Sequence, residues 1–361
     1  MTDIFYISRV LGLSALAFLV AVSWTPFLGR FLSKHRMGKH IRTNGVPIYA
    51  SLHKKKEGTP TMGGILIWLT TLFLTILFYY LSRISSSSFW HHLNFLSRGE
   101  TLLPLGALVA SALVGLGDDL LGIFKIKPKF QTKFLNLIRS ENGGLKVRHR
   151  LLVYTGIALI GSWWFFYKLD WDFVHIPFIG DFNIGFWYIP IFVFIIVATS
   201  FSINETDGLD GLAGGILMIA FSAYGIIAYT QGRFDLATFC GVIIGSLLAF
   251  LWFNIYPARF FMGDTGAMSL GVTLGIIAML TNAFLFLPFI AFIPVLESLS
   301  TIVQILSKKI RKKKIFYSCP LHHHFEALGW PETKVTMRFW MIAGVMAVIG
   351  LILYFIDSFL L

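Results

Sequence analysis

Five aspartates and a run of histidines are the residues whose types and placement favour chemistry in this 361-residue chain. They are Asp118, Asp119, Asp207, Asp210, Asp264 and His322–His324. Neighbouring carboxylates repel each other and raise one another's pKa unless a cation lies between them. The pattern therefore predicts a cation site, provided that the fold brings these distant positions together.

A divalent metal is the cation that these side chains favour. Carboxylate oxygens without cysteine or a spaced histidine pair suit Mg²⁺ better than zinc. Because Mg²⁺ prefers a few carboxylates together with water and phosphate oxygens, the acids indicate phosphoryl transfer. In such a reaction a metal neutralises charge on a diphosphate, while a carboxylate prepares the attacking oxygen.

The composition is that of a membrane protein. The chain is 56% hydrophobic and only 13% charged, with a mean hydropathy of +0.74, whereas a soluble domain carries about 25% charged residues. Apolar stretches of the roughly 17 to 25 residues that cross a bilayer occur at Val10–Arg30, Gly58–Ser82, Thr101–Gly117, Leu151–Tyr167, Phe182–Asn204, Gly211–Gly232, Leu236–Ala258 and Phe339–Ile356. A ninth run, Thr265–Leu296, is too long for one crossing. We divide it at Thr281-Asn282 and Pro288 and extend its second helix to Ser307.

The sequence therefore predicts an all-α integral membrane protein with about ten transmembrane helices in one polytopic domain, 1–361. Lysine and arginine accumulate in cytoplasmic loops, and eight of the 30 fall in each of the segments 30–56, 125–150 and 308–338. This bias predicts periplasmic termini and main cytoplasmic loops at 30–61, 118–150 and 308–338. Every acidic cluster then lies at a cytoplasmic helix end, so the active site is expected at that face.

The net charge of +12 is explained by this loop bias together with attraction to anionic membrane lipid or an anionic substrate. Nucleic acid is not an expected partner, because no binding module is present. Near the basic loops, Lys56 and Thr61 precede a helix, where backbone donors favour phosphate. Consecutive histidines point in different directions, so we expect one or two of them to donate hydrogen bonds to phosphate or a nucleobase.

Other interpretations of these residues remain open from sequence alone. Aspartates at helix ends commonly act as caps, and for Asp210 capping competes with a functional role. Glu297 and Gln304 lie two turns apart behind Pro294, and a buried glutamate can serve only to hydrogen-bond a neighbouring helix. A secondary transporter is a further alternative, although its charges would lie near the bilayer midplane rather than at one face.

Several motifs resemble the phospho-N-acetylmuramoyl-pentapeptide transferase family. They are GTPTMGG at 58–64, TDGLDGLAGG at 206–215, WFN at 252–254, FMGDTG at 261–266, and PLHHHFE at 320–326 followed by GWPE and RFW. The resemblance extends from Lys56 to Trp340. PLHHHFE is the most specific motif, since relatives that transfer N-acetylhexosamine phosphates carry a different histidine motif. An enzyme of that second kind, with another donor, is the nearest alternative.

The resemblance implies transfer of phospho-N-acetylmuramoyl-pentapeptide from its UDP conjugate to undecaprenyl phosphate, with Mg²⁺, in the bacterial inner membrane. It implies that Asp264 binds Mg²⁺, that Asp118 orients or deprotonates the lipid phosphate and that Asp119 supports it. It further implies a homodimer and a kinked ninth helix beside a groove for the polyprenyl chain, and the proline at Pro294 agrees with a kink there. The residues that it assigns to the nucleotide and pyrophosphate are Lys56, Thr61, Asn204, Asp207, Asp210, Asn254, Phe261, Gln304, His322 and His323.

Three positions depart from the family pattern. Gly122 stands where the family has lysine, with Lys125 the nearest substitute. Arg148 and Arg150 stand near a second family lysine, so the sequence leaves open which basic residue contacts phosphate. Glu205 replaces an apolar residue and adds a carboxylate beside the expected site.

Overall fold

The computed structural model describes residues 2–38, 56–85, 87–123 and 144–360. Most of these residues are helical, as lipid requires of a spanning segment, because a helix satisfies its own backbone hydrogen bonds. The helices are α1 (Thr2–Lys34), α2 (Ile65–Ile84), α3 (Ser88–Leu93), α4 (Leu102–Ile123), α5 (Val147–Lys168), α6 (Tyr188–Thr206), α7 (Leu212–Thr230), α8 (Phe234–Asn254), α9 (Gly263–Leu280), α10 (Leu287–Ile290), α11 (Phe292–Ile310), α12 (Leu321–Ala327) and α13 (Glu332–Leu360).

The all-helical membrane architecture is confirmed at the level of eight or nine candidate spans within the described residues. Eight helices are long and apolar enough to cross a bilayer, namely α1, α2, α4, α6, α7, α8, α9 and α13. A bent pair made of Phe284–Ile290 and α11 supplies the ninth. The remaining predicted span corresponds to α5, whose charges and interfacial aromatic residues make it more polar, so the count of ten stays a prediction.

The long apolar run breaks where its polar residues predict. Helix α9 ends at Leu280, and Thr281 and Asn282 form a turn. The following pair of helical segments is bent by 85°. The bend lies at Ala291 and not at Pro294, which belongs to the first turn of α11. At that position proline costs no helical hydrogen bond, because the first N–H groups have no partner within the helix.

Helix α9 is the centre of the molecule. All but one of its 18 residues are buried, and its main neighbours are α4 and α6. Glycines allow this close packing, since a Cβ built on Gly271 would lie 2.7 Å from the Cα of Ser200 on α6. Helices in membranes associate through such small residues.

A two-stranded hairpin, which the sequence did not predict, joins α5 to α6. Strand β1 (Phe173–Ile176) pairs in antiparallel fashion with β2 (Gly180–Asn183). The backbone N–H of His175 donates to Oδ1 of Asn282, which follows the last residues of α9, at 3.1 Å. The hairpin therefore lies at the far end of α9 from Asp264, about 27 Å away at 1.5 Å per residue.

The beginning of α1 and the end of α13 share this far end. Arg9 forms a 2.8 Å ion pair with Asp235 near the start of α8. Tyr354 accepts a 3.1 Å hydrogen bond from Gln231, just beyond α7. The bundle thus has one end that carries Asp264 and one that carries the hairpin, the beginning of α1 and the end of α13.

Candidate active site

Asp119 receives the first turn of α9. Its two carboxylate oxygens accept the backbone N–H groups of Asp264, at 3.1 Å, and Thr265, at 3.0 Å. These groups have no partner within their own helix, and a carboxylate is favoured at the positive end of the helix dipole. Asp119 therefore fixes the position of Asp264 from a neighbouring helix.

Close contact between α4 and α9 depends on Gly115. A Cβ at this position would lie 2.4 Å from the carbonyl oxygen of Asp264, far inside ordinary contact distance. Thr265 ties the same helices together by donating from its hydroxyl to the carbonyl of Ala112 at 2.9 Å. Asp118 and Asp119, on α4, are consequently held beside the beginning of α9.

Arg150 lies between the acids of two helices. Its Nε is 2.6 Å from Oδ2 of Asp118, and its Nη2 is 2.9 Å from Oδ2 of Asp264. Its Nη1 donates to Oδ1 of Asn204 at 3.1 Å. Arg148, in contrast, is exposed. Of the two arginines that the sequence left open, Arg150 is the one that reaches the acidic residues.

Asn204 and Leu145 complete the surroundings of this guanidinium. The side-chain amide of Asn204 donates to Oδ1 of Asp264 at 2.5 Å, and the backbone N–H of Leu145 donates to Oδ1 of Asp118. Four helices, α4, α5, α6 and α9, thus bring Asp118, Asp119, Asn204 and Asp264 together. We call this group, with Arg150, the acidic cluster.

A second group surrounds Lys56. Its ammonium forms ion pairs with Asp210, at 2.6 Å, and with Glu332 at the start of α13. Burial alone would lower the pKa of Lys56, but the two carboxylates outweigh this effect and raise it above its usual value. The lysine is therefore charged, and it lies 5.8 Å from the centre of the Phe261 ring.

Asp210 and Asn254 also hold the turn that precedes α7. Oδ2 of Asp210 accepts the backbone N–H of Ala258 at 2.9 Å. Asn254 accepts the N–H of Gly211 at 3.0 Å and donates to the carbonyl of Phe260 at 2.8 Å. In this structure Asn254 stabilises the end of the TDGLDG segment, and both side chains stabilise the backbone just before FMGDTG.

Thr61 and Asp207 lie beside these two groups. Thr61 is buried, its N–H donates to the carbonyl of Met37 at 2.9 Å, and a Cβ on Gly263 would lie 2.8 Å from its hydroxyl. Asp207 is half-buried at the end of α6, three residues after Asn204. Thr61 is thus close in space to Gly263, which precedes Asp264, and Asp207 is close in sequence to Asn204.

The three histidines have three different surroundings, as consecutive residues of a helix must. His322 is fully buried, and its Nδ1 is 3.2 Å from Glu297 on α11. His323 contacts Glu326 at 2.7 Å, and the His324 ring stacks on Tyr317. Burial alone would lower the pKa of His322, but Glu297 outweighs this effect and raises it.

Gln304 and Glu205 lie on the neighbouring helices α11 and α6. Gln304 accepts the N–H groups of Ile315 and Phe316, at 3.0 and 3.1 Å, and donates to the carbonyl of Phe316 at 2.9 Å. Its amide therefore holds the segment between α11 and α12. Glu205 accepts a 3.2 Å hydrogen bond from the hydroxyl of Thr301 and so links α6 to α11.

Two protein-family models match parts of this chain. Residues 101–282 match the model described as glycosyl transferase family 4, which is half of the chain. Residues 56–67, which contain Lys56 and Thr61, match phospho-N-acetylmuramoyl-pentapeptide-transferase signature 1.

Curated relatives extend the similarity to almost the entire chain. A phospho-N-acetylmuramoyl-pentapeptide-transferase of Chloroflexus aurantiacus is 40% identical over 357 residues, covering 95% of this chain and 89% of the relative. A Geobacillus protein of the same name is 36% identical, with 93% and 95% covered, and a Clostridium novyi protein is 36% identical, with 92% and 93% covered. The chain belongs to the phospho-N-acetylmuramoyl-pentapeptide-transferase family.

Transferases of this family are phosphoglycosyl transferases, and the sequence predicts Mg²⁺ as their cofactor here. Among the described residues, no group of three or more His, Cys, Asp or Glu side chains has a metal-binding arrangement. The donor types nevertheless fit, because Asp118, Asp264 and Asn204 present hard oxygen atoms, and Mg²⁺ keeps several waters beside one or two carboxylates. Arg150 supplies positive charge at the same point.

Some residues that contact the candidate site could not be chosen from sequence. Glu332 accepts hydrogen bonds from Lys56 and, at 2.7 Å, from the N–H of Asp210. Thr336 and Trp340 donate to the carbonyls of Asp210 and Gly211 at 3.3 and 3.2 Å. The only signal was that Glu332 and Trp340 belong to the GWPE and RFW motifs and that Thr336 lies between them, which carries no information about their partners.

Proposed function

We propose that this transferase moves phospho-N-acetylmuramoyl-pentapeptide from its UDP conjugate to undecaprenyl phosphate and releases UMP. The observation that carries the proposal is the convergence of Asp118, Asp264 and Asn204 on the Arg150 guanidinium. Four helices contribute to this one point, which combines two carboxylates with a fixed positive charge. Such a site can bind a diphosphate and orient a phosphate nucleophile against it.

Each side chain has a distinct task in the proposed reaction. Asp118 orients the lipid phosphate, or takes its proton where the phosphate arrives protonated, while Asp119 holds the first turn of α9 in place. Arg150 and Lys56 offset the negative charge of the two substrates. Asp264, with Asp118 and Asn204 nearby, would hold Mg²⁺, and the bound ion would neutralise charge on the diphosphate.

Direct attack of the lipid phosphate on the β-phosphate of the donor is the favoured route. A phosphate monoester dianion is already a competent nucleophile, so positioning and electrostatic stabilisation can supply most of the rate enhancement. The alternative is a two-step route through an aspartyl intermediate. A burst of UMP release without lipid acceptor would establish that second route.

We further propose that the acidic end of the bundle faces the cytoplasm of a bacterial inner membrane. The lysine and arginine bias of the loops supports this orientation. It places both termini in the periplasm, and the family resemblance supports a homodimer. Labelling of single cysteines at residues 148 and 181 from each side of sealed vesicles tests the orientation, and equal access to both from one side would contradict it.

The experiment that tests the reaction is a UMP-release assay with purified protein. The assay supplies UDP-N-acetylmuramoyl-pentapeptide and undecaprenyl phosphate, with and without Mg²⁺. UDP-N-acetylglucosamine is the control donor for a hexosamine phosphate transferase. Release that requires the pentapeptide donor, the lipid and Mg²⁺ supports the proposal, and equal release from the control donor would contradict it.

A further inference from the structure

The hairpin at the far end of the bundle exposes large apolar side chains although it spans no membrane. Phe178 and Ile179, in the turn between the strands, are 49% and 63% exposed, and Phe182 on β2 is 44% exposed. A turn that projects into water usually carries small or polar residues. These three side chains therefore indicate contact with an apolar environment.

The strand register separates an apolar face from a polar face. Val174 pairs with Phe182, and His175 pairs with Asp181. Because neighbouring residues of a strand point to opposite faces, each cross-strand pair lies on one face. The hairpin is thus amphipathic, with Phe182 on one face and the 2.7 Å contact between His175 and Asp181 on the other.

Asp357 near the end of α13 fixes the orientation of the turn. One carboxylate oxygen accepts the backbone N–H of Phe178 at 2.6 Å, and the other lies 2.7 Å from Nε2 of His175. Asp357 is 1% exposed, so the anchoring group is buried beneath the hairpin. The apolar tip is consequently held in one direction and does not depend on a freely moving loop.

The hairpin lies about one hydrocarbon thickness away from the end of the bundle that carries the acidic cluster. Thr336, which contacts Asp210, and Asp357 are separated by 21 residues of α13, about 31 Å. The hydrocarbon core of a bilayer is about 30 Å thick. Phe186 and Trp187, which are 67% and 72% exposed, begin the adjoining candidate span Gly185–Thr206.

We propose that Phe178, Ile179 and Phe182 dock into the lipid interface of the leaflet opposite the acidic cluster. The partner is the boundary between headgroups and acyl chains, where amphipathic aromatic residues collect. Continuity with the exposed aromatic residues at the start of α6 places the tip at this boundary. The polar face, with Asp181, remains on the aqueous side.

Fluorescence quenching in nanodiscs tests this placement. In a background with Cys240→Ala and Cys319→Ser, an environment-sensitive thiol probe is attached at Ile179→Cys or, as the matched control two residues away, at Asp181→Cys. We expect blue-shifted emission, quenching by doxyl-labelled lipid and protection from iodide at position 179. We expect iodide quenching and little lipid quenching at position 181.

Two results would overturn the proposal. Iodide quenching at 179 equal to that at 181 would place the tip in water. The second result is protection of position 179 from both quenchers. If that protection is lost when each nanodisc holds one chain, the surface contacts a second copy of the protein. If Ile179→Cys does not fold, Phe182→Cys on the apolar face takes its place with the same outcomes.

Discussion

Glu297 and His322, 25 residues apart in the chain, form a buried pair beneath the TDGLDG segment. Nδ1 of His322 is 3.2 Å from Oε1 of Glu297, and its backbone N–H lies within 3.3 Å of both carboxylate oxygens. Neither residue is exposed. On its other side the ring contacts Gly208, where an added Cβ would lie 2.2 Å from Nε2. The pair therefore connects the bent helix α11 to the turn that carries Asp207.

Removing one member of this pair should lower the free energy of unfolding more than removing both members. Glu297→Gln leaves a buried imidazolium without its carboxylate, which costs about 3 kcal/mol. The double variant Glu297→Gln with His322→Gln should recover part of that loss. Chemical unfolding in detergent measures both, and strictly additive losses would show that the two side chains do not stabilise each other.

Neutralising either acid that contacts Arg150 should stop turnover without unfolding the protein. We expect Asp118→Asn and Asp264→Asn each to slow UMP release at least about 10²-fold, the scale of a lost general base or metal ligand. Asp172→Asn, at the hairpin end, is the control and should retain normal rates. Near-normal rates in both acidic variants would refute the assigned roles.

Arg150→Ala should make stability depend on Mg²⁺. Without the guanidinium, Asp118 and Asp264 face each other without a positive charge, and loss of one partner from a buried ionic group costs about 3 kcal/mol. Added Mg²⁺ should therefore raise the melting temperature of this variant more than that of the parent chain. Arg148→Ala, two residues away and exposed, should change stability by less than about 0.5 kcal/mol. An equal response to Mg²⁺ in all three proteins would contradict the prediction.

Gly115→Ala should displace Asp264, whereas Gly117→Ala on the same helix should not. A methyl group at 115 meets the Asp264 carbonyl at 2.4 Å, but nothing lies within 4 Å of a Cβ at 117. We expect Gly115→Ala to cost about 1 to 3 kcal/mol, as overpacking does, and to lower kcat. Gly117→Ala should be neutral or slightly stabilising, because alanine favours a helix over glycine. Equal effects at the two positions would argue against this packing.

The contacts of His175 with Asp181 and Asp357 should stabilise the protein more at about pH 6 than at about pH 9. Burial alone would lower the pKa of His175, but its hydrogen bonds to Asp181 and Asp357 raise it above 6.5. The stabilisation is therefore complete below about pH 6.5 and is lost as the pH rises through the higher folded-state pKa. It amounts to at most about 1 kcal/mol, since the pair is partly exposed.

Melting temperatures between about pH 6 and pH 9 measure this effect. The parent chain should lose stability over that range relative to His175→Gln, whose curve should be flatter. Parallel curves would exclude a contribution from the pair. His175→Gln should leave UMP release unchanged, because the hairpin lies at the opposite end of the bundle.

The spans were predictable because long apolar runs admit few structures other than helices. The turn at Thr281 and Asn282 was predictable because these polar residues interrupt the apolar run. The hairpin was missed because two strands of four residues give too short an alternation to distinguish from a loop. The sequence assigned the bend to Pro294, because proline is the usual cause of a kink. The break lies three residues earlier, at Ala291.

The candidate site was predictable in its residue types but not in its contacts. A topology count indicates that Asp118 and Asp264 share one end of the bundle, and the structure places both against Arg150. Sequence could not show that Asp119 accepts N–H groups from α9, or that Glu332 shares Lys56 with Asp210. These partners are separated by more than one hundred residues, and local patterns do not encode such distances.

The Lys56 and Glu332 pair joins positions 276 residues apart. Because Glu332 begins α13, the helices α1 to α12 are all synthesised before this second carboxylate partner of Lys56. A chain truncated before α13 therefore loses one of the two carboxylates that Lys56 contacts.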